Sequence, residues 1–214
     1  FIGNLKFSQS ENKKFKVNKK LRKFIYSRKT WCASSTHYSE EKFCGLIHKK
    51  LKKKYKNLLT IIIPRHIDRI KSIEGELNEL GLKVQTHNPL KKINNNIDVY
   101  LVNSYGQTKS FFNTCKIVFL GGSIINHGGQ NPLEAARYGC NILHGPNVEN
   151  FTEIYKFLKK NKISSEIKNH RIALKKLDEL LMKQNNSKNI QVKLKKIGEK
   201  ILQKTYKEII FLIK

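Results

Sequence analysis

The sequence predicts a doubly wound, Rossmann-like α/β domain built on a parallel sheet. Three observations carry that expectation. Short β-type runs alternate with helical segments from Trp31 onward, as successive βα units require. The run Leu58–Pro64 (LLTIIIP) is apolar almost without a break, which fits a strand covered on both faces. Turns rich in Gly, Ser, Asn and Pro follow the strands at the ends where open α/β sheets bind ligands. The 214 residues, 39% hydrophobic and 9% aromatic, suit one such domain with its own core.

Each element follows from its local pattern. Residues 1–30 read as an interdomain connector: an apolar FIGNLKF start, then a Lys-rich polar stretch over 7–30 that resembles a linker or loosely packed surface helix. The opening at Phe1 suggests a start inside a larger protein. Residues 31–185 form the expected domain, with strands at Trp31–Ser35, Leu58–Pro64, Leu82–Thr86, Asp98–Asn103, Ile117–Gly121 and Asn141–Leu143. Helical spacing falls at Glu40–Tyr55, Asp68–Leu80, Gln107–Cys115, Pro132–Tyr138, Phe151–Lys160 and Ile172–Met182, the last with Leu174, Leu177, Leu180 and Leu181 on one face. His87–Ile97 reads as loop and Gln184–Asn189 as an exposed turn. Residues 186–214 hold a C-terminal helix with Val192, Leu194, Ile197, Ile201, Leu202 and Tyr206 on its apolar side.

Composition narrows the function classes. The net charge of +27 suits a polyanionic partner or an anionic membrane surface, but Lys dominates beside abundant Ile and Asn, a mixture that background composition also produces. No nucleic-acid reader motif or interleaved aromatic–basic patch is present. The four cysteines are scattered, without C-x-x-C pairs, and read as small buried residues. No apolar run reaches the ~18–20 residues of a membrane-spanning helix.

The chemistry is expected in the turns leaving the strands. Pro64 stiffens the exit of the second strand, and Arg65 offers a planar fork for phosphate or carboxylate, or else pairs with a nearby Asp. His66 alone reads as a structural hydrogen-bonder. After the fourth strand, Gly106 permits close backbone approach, and Tyr105 either flanks a base or plugs the core. Ser34, Ser35, Thr36 and His37 follow the first strand and cap the next helix or face a sugar. The richest turn follows the fifth strand: Gly121, Gly122 and Ser123, then Asn126 to Glu134 (NHGGQNPLE). Glycine amides there, including those of Gly128 and Gly129, could turn into one cavity and hold a phosphate or sugar. Asn131-x-x-Glu134 has two readings: a capping box with Pro132 in the first turn, or a helix start holding phosphate with Glu134 accepting from ribose hydroxyls.

These residues resemble the C-terminal domain of the Kdo (3-deoxy-D-manno-octulosonic acid) transferases of lipopolysaccharide biosynthesis. The resemblance rests on GNLKF at Gly3–Phe7, Trp31–His37 (WCASSTH), Pro64–His66 (PRH), the turn after the fourth strand, and Phe119–Ile154 with its HGGQNPLEAARYGC and GPNVENFTEI segments. It implies one half of a GT-B glycosyltransferase that moves Kdo from CMP-Kdo to a lipid A precursor, lipid IVA. It also implies CMP contacts by Pro64, Arg65, Tyr105, Gly106, Gln107, Asn131, Pro132, Leu133 and Glu134. The family turn reads more like M-G-E, so Tyr105 replaces Met and Gln107 replaces a carboxylate. No metal and no cofactor are implied. The general base, a Glu, belongs to an N-terminal acceptor domain absent from this sequence, together with the acceptor surface and membrane anchor. No catalytic residue is therefore expected in this chain, which is expected to be inactive alone. The implied location is the cytoplasmic face of the bacterial inner membrane, against anionic lipid, with no nucleic-acid partner. A UDP-sugar GT-B enzyme or sugar-nucleotide epimerase shares the glycine-loop and helix-Glu arrangement and is the alternative; a basic nucleic-acid-binding module is the more distant one.

Overall fold

The computed structural model describes residues 6, 15–88, 92–183 and 187–213. Gly3, Asn4, Leu5 and Phe7 of the GNLKF motif, residues 8–14 of the connector, 89–91 of the loop, 184–186 of the exposed turn and Lys214 lie outside the described residues. The elements, in order, are α1 (Lys19–Tyr26), β1 (Lys29–Thr36), α2 (Glu40–Leu51), β2 (Leu58–Pro64), α3 (Ile70–Glu79), β3 (Val84–Thr86), β4 (Val99–Leu101) and α4 (Thr108–Thr114). There follow β5 (Ile117–Leu120), α5 (Leu133–Arg137), β6 (Asn141–His144), α6 (Thr152–Lys160), β7 (Ser164–Glu166), α7 (His170–Met182) and α8 (Ser187–Ile213).

Seven parallel strands run β3-β4-β2-β1-β5-β6-β7. Alternation along each strand divides the core between two faces. Cys32, Leu59, Ile61, Val118 and Ile142 pack on one side with α1, α4, α5, α6 and the first half of α8. Trp31, Ala33, Leu58, Ile62, Phe119 and Leu143 pack on the other with α2, α3 and α7. Every residue of β2 is buried, as its unbroken apolar run requires.

Three expectations are corrected. The connector contains α1, capped by Asn18, whose side chain accepts from the Leu21 amide at 2.8 Å. Leu21 and Ile25 sit in the core, so this part of the segment is packed against the domain rather than loose. A seventh strand, β7, pairs with β6 where no strand was expected. Along α8, Ile190 and Leu194 are buried and Ile197 and Ile201 partly so, whereas Val192, Leu202 and Tyr206 of the expected stripe are 54%, 53% and 64% exposed. Spacings of four, three and four residues select the narrower stripe that faces α5.

Buried and half-buried histidines predict an acid-sensitive fold. Burial pushes the pKa values of His37, His87, His144 and His170 below the ordinary 6.5. His144 Nδ1 lies 2.7 Å from the Gly145 carbonyl, which can only accept, so Nδ1 carries the proton. Its Nε2 is then an acceptor, buried without a partner, and protonation there would bury a charge. The unfolded chain takes up these protons at the ordinary value and the folded chain only below it. The stability linked to these groups is therefore fully present above pH 6.5 and is lost as pH falls through the depressed folded values. A lower urea midpoint is expected at about pH 5 than at about pH 7, with the difference reduced in His144→Gln. Equal midpoints would contradict this.

Candidate functional site

From β1 the chain winds outward through β2 to the β3 and β4 edge, then returns to add β5 on the other side of β1. The helices after β1 and β5, α2 and α5, consequently lie on opposite faces of the sheet. The carboxyl ends of these two strands flank the switch-point crevice in which sheets of this class bind ligands.

The floor of that crevice is organised by Glu40, the first residue of α2 and fully buried. Its Oε2 accepts from the amides of Gly122 (2.7 Å) and His37 (3.0 Å). Its Oε1 accepts from those of Ser123 (3.1 Å) and Ile124 (3.0 Å). One carboxylate thus binds the turn after β5 to the turn after β1, and four charge-assisted bonds offset the cost of burying it. Gly121 must be glycine for this approach. A Cβ there would lie 2.4 Å from the Ser35 carbonyl oxygen and 2.7 Å from Glu40 Oε2. Next to it, Glu41 is also buried and is gripped by the two terminal guanidinium nitrogens of Arg69, at 3.2 and 3.1 Å. Burial raises the Glu41 pKa, and Arg69 opposes the shift.

This arrangement corrects the expected role of the glycine amides. Those of Gly122 and Ser123 serve Glu40, that of Gly121 donates to the Ser34 carbonyl (2.8 Å), and that of Gly129 to the Gly122 carbonyl (2.8 Å). All four are spent inside the protein and are not available to a phosphate. Gly128, in the left-handed region at φ +84°, is pressed against Asn150. The Asn131–Glu134 capping box is not formed either. The Asn131 side chain accepts from the Leu133 amide at 3.1 Å, while Glu134 reaches Lys109 of α4, with Oε1 3.3 Å from Nζ. Pro132 precedes a helix of only five residues, and Pro132 and Leu133 are buried.

The Lys109–Glu134 contact brings the turn after β4 beside the start of α5. Tyr105, 64% exposed, does not plug the core; Gly106 adopts φ +78° with open space around it, and Gln107 is half-buried. At the end of β2, the Arg65 amide donates to the Thr36 carbonyl (2.9 Å), linking this exit to that of β1. The Arg65 side chain is exposed and has no ion-pair partner among the described residues. The Asp pairing considered for it is absent there, and the guanidinium–carboxylate pair of this region is Arg69–Glu41. His66 is exposed, and its ring meets His37 edge-on at 5.7 Å between centroids. Glu40, Lys109 and His127 are the residues that sequence reasoning left unassigned. An acidic pair opening the helix after a ligand-edge turn was a usable signal for Glu40; its partner segment is over 80 residues away.

The chain is 36% identical over 208 residues to a 3-deoxy-D-manno-octulosonic acid transferase of Rickettsia prowazekii, covering 94% of this chain. A transferase of the same description from Aquifex aeolicus is 32% identical over 179 residues, covering 84% of this chain. The chain belongs to the Kdo transferase family. It spans 43% and 47% of the length of these two relatives. No family model matches it. The C-terminal CMP-Kdo binding domain of WaaA from Acinetobacter baumannii superposes with a TM-score of 0.73 over 84% of this chain and 92% of that one, at 21% identity. The Kdo transferase chain described here therefore has the Rossmann-like, C-terminal half of the GT-B fold.

A second concavity, of about 910 Å³, opens at the opposite edge of the sheet, among Lys29, Lys116, Asn141 and Ser164 at the amino ends of β1, β5, β6 and β7. Its cations are largely engaged: Lys29 donates to the Leu181 carbonyl (2.7 Å), and Lys116 to those of Asn113 (3.0 Å) and Tyr138 (3.3 Å). Ligands of doubly wound sheets bind at the carboxyl edge, so the turn residues, and not this cavity, are the candidate site. Among the described residues, no group of three or more His, Cys, Asp or Glu is placed to hold a metal ion, and no helix is long and apolar enough to cross a membrane.

Proposed function

We propose that this chain is the donor-binding half of a glycosyltransferase that moves Kdo from CMP-Kdo to a lipid A precursor at the cytoplasmic face of the inner membrane. The observation that carries this reading is the Lys109–Glu134 contact, at 3.3 Å. It joins two of the three proposed CMP-binding turns on the same sheet edge as Arg65, which has no ion-pair partner among the described residues. In the proposed site, Pro64 and Arg65 meet the phosphate, Tyr105, Gly106 and Gln107 flank the nucleoside, and Asn131 to Glu134 close the other side. Glu134 accepts from the ribose hydroxyls, and Lys109 holds its carboxylate in position.

In the reaction, an acceptor hydroxyl oxygen bonds to the anomeric carbon while the bond from that carbon to the CMP phosphate oxygen breaks. CMP leaves with the electron pair, and the hydroxyl proton passes to a general base. The base, a Glu, and the acceptor surface are proposed to lie in a domain outside this chain. Arg65 stabilises the charge that grows on the departing phosphate. With the amides of Gly121, Gly122, Ser123 and Gly129 committed elsewhere, that task falls more heavily on this one guanidinium. The net charge of +27 supports the same reading, since it attracts the chain to anionic lipid and to phosphorylated lipid A.

Calorimetric titration of the chain with CMP, UMP and GMP tests the proposal. CMP is expected to bind most tightly. Equal affinities, or no binding by any of the three, would overturn it.

A further inference from the structure

Three imidazoles meet at the mouth of the β1–β5 crevice. His37, directly after β1, has its ring centroid 4.3 Å from that of His127 in the glycine-rich turn and 5.7 Å from that of His66 after β2. His37 is only 8% exposed, and its Nε2 is buried without a hydrogen-bond partner; His66 and His127 are exposed. Beneath the rings lies Gly122, at φ +65°, where an added Cβ would stand 3.2 Å from His127 Cδ2 and 3.4 Å from both His37 Cδ2 and Gln130 Nε2. Bare backbone at this position is what lets two imidazoles and a carboxamide close together over the turn.

The charges around His37 are unbalanced. His127, His66 and Arg65 all disfavour a proton on it, and Glu40 alone favours one. Glu40 cannot act as acceptor for the rings, because both its oxygens are filled by the four amides of the floor. The cluster thus brings imidazoles from three turns together, and the buried His37 Nε2 has no hydrogen-bond partner among the described residues. A buried polar atom left unsatisfied in this way is costly unless a ligand completes it.

We infer that the His37–His66–His127 cluster, with Gln130, is the subsite for the carboxylate of the donor sugar acid. The inference rests on the proposed CMP-linked donor, and the sugar named by the relatives, an octulosonic acid, supplies such a carboxylate. It adds the claim that this anion sits on the imidazoles rather than on Arg65, which is left for the phosphate. His37, deepest in the crevice, donates through Nε2, and His127 and His66 close over the group from the rim.

The test compares CMP with freshly prepared CMP-Kdo on the full chain, in wild type, His37→Ala and His127→Ala. Wild type is expected to hold CMP-Kdo more tightly than CMP. Both variants are expected to lose at least about tenfold in CMP-Kdo affinity, the equivalent of one charge-assisted hydrogen bond, and to keep CMP affinity within about twofold. His127 is exposed, so its variant remains informative if His37→Ala fails to fold. The His37 ring nitrogen signals should shift with CMP-Kdo and not with CMP. Equal losses for both ligands would assign the cluster to the phosphate, and no loss for either would make it structural; each overturns the inference and leaves the nucleotide reading standing. Failure of wild type to bind CMP at all would instead remove the reading on which the inference depends.

Discussion

Glu40→Gln is expected to lower the stability of the chain by about 2–6 kcal/mol. Buried amides that lose their acceptor cost about 1–3 kcal/mol each. A glutamine oxygen can still serve one pair of the four N–H groups, but its NH2 then faces the other pair as donor against donor. The charge that strengthened all four bonds, at 2.7–3.1 Å, is also gone. Glu40→Ala strands all four donors and opens a void, a loss comparable to the whole ~5–15 kcal/mol of a typical domain; no cooperative unfolding transition is expected for it. Urea denaturation followed by circular dichroism checks both. A Glu40→Gln midpoint matching wild type with an unchanged m value would contradict the role given to this carboxylate.

Arg65→Ala separates binding from folding. The side chain is exposed and has no ion-pair partner among the described residues, so its truncation should change stability by no more than about 0.5 kcal/mol. If the guanidinium meets the phosphate of CMP, its loss removes a charge-assisted contact worth about 1.5–3 kcal/mol, roughly ten- to a hundredfold in affinity. Arg65→Lys keeps the charge but not the planar fork and should recover only part of the loss. Calorimetry with CMP reads the affinity, and the urea midpoint reads the fold. A loss of affinity below about twofold, or one accompanied by a large fall in stability, would count against direct phosphate contact.

The fold was legible where burial leaves a periodic trace. The apolar β2 run and the helical spacing of α7 predicted their elements because both faces, or one stripe, are dry. The Lys-rich stretch before Trp31 left open a linker or a loose surface helix and hid the packing of α1, since only Leu21 and Ile25 of its eight residues are buried. β7 was invisible because Ser164, Ser165 and Glu166 have no apolar signature; as an edge strand it needs only one neighbour. The candidate site was legible as a set of turns, since glycine, proline and asparagine mark strand exits, but not as a set of free donors. Which amides remain open depends on Glu40, brought from a distant segment by the pairing of β1 with β5. Local spacing made Glu134 a capping partner for Asn131; the packing of α4 against α5 gave it Lys109 instead.

The central claim is most directly tested by following the backbone amide resonances of the isotopically labelled chain as CMP is added. Shifts are expected to concentrate at residues 65–66, 104–109, 131 and 133–135, Pro64 and Pro132 having no amide proton. Shifts centred on Lys29, Lys116, Asn141 and Ser164, at the amino edge, would contradict it.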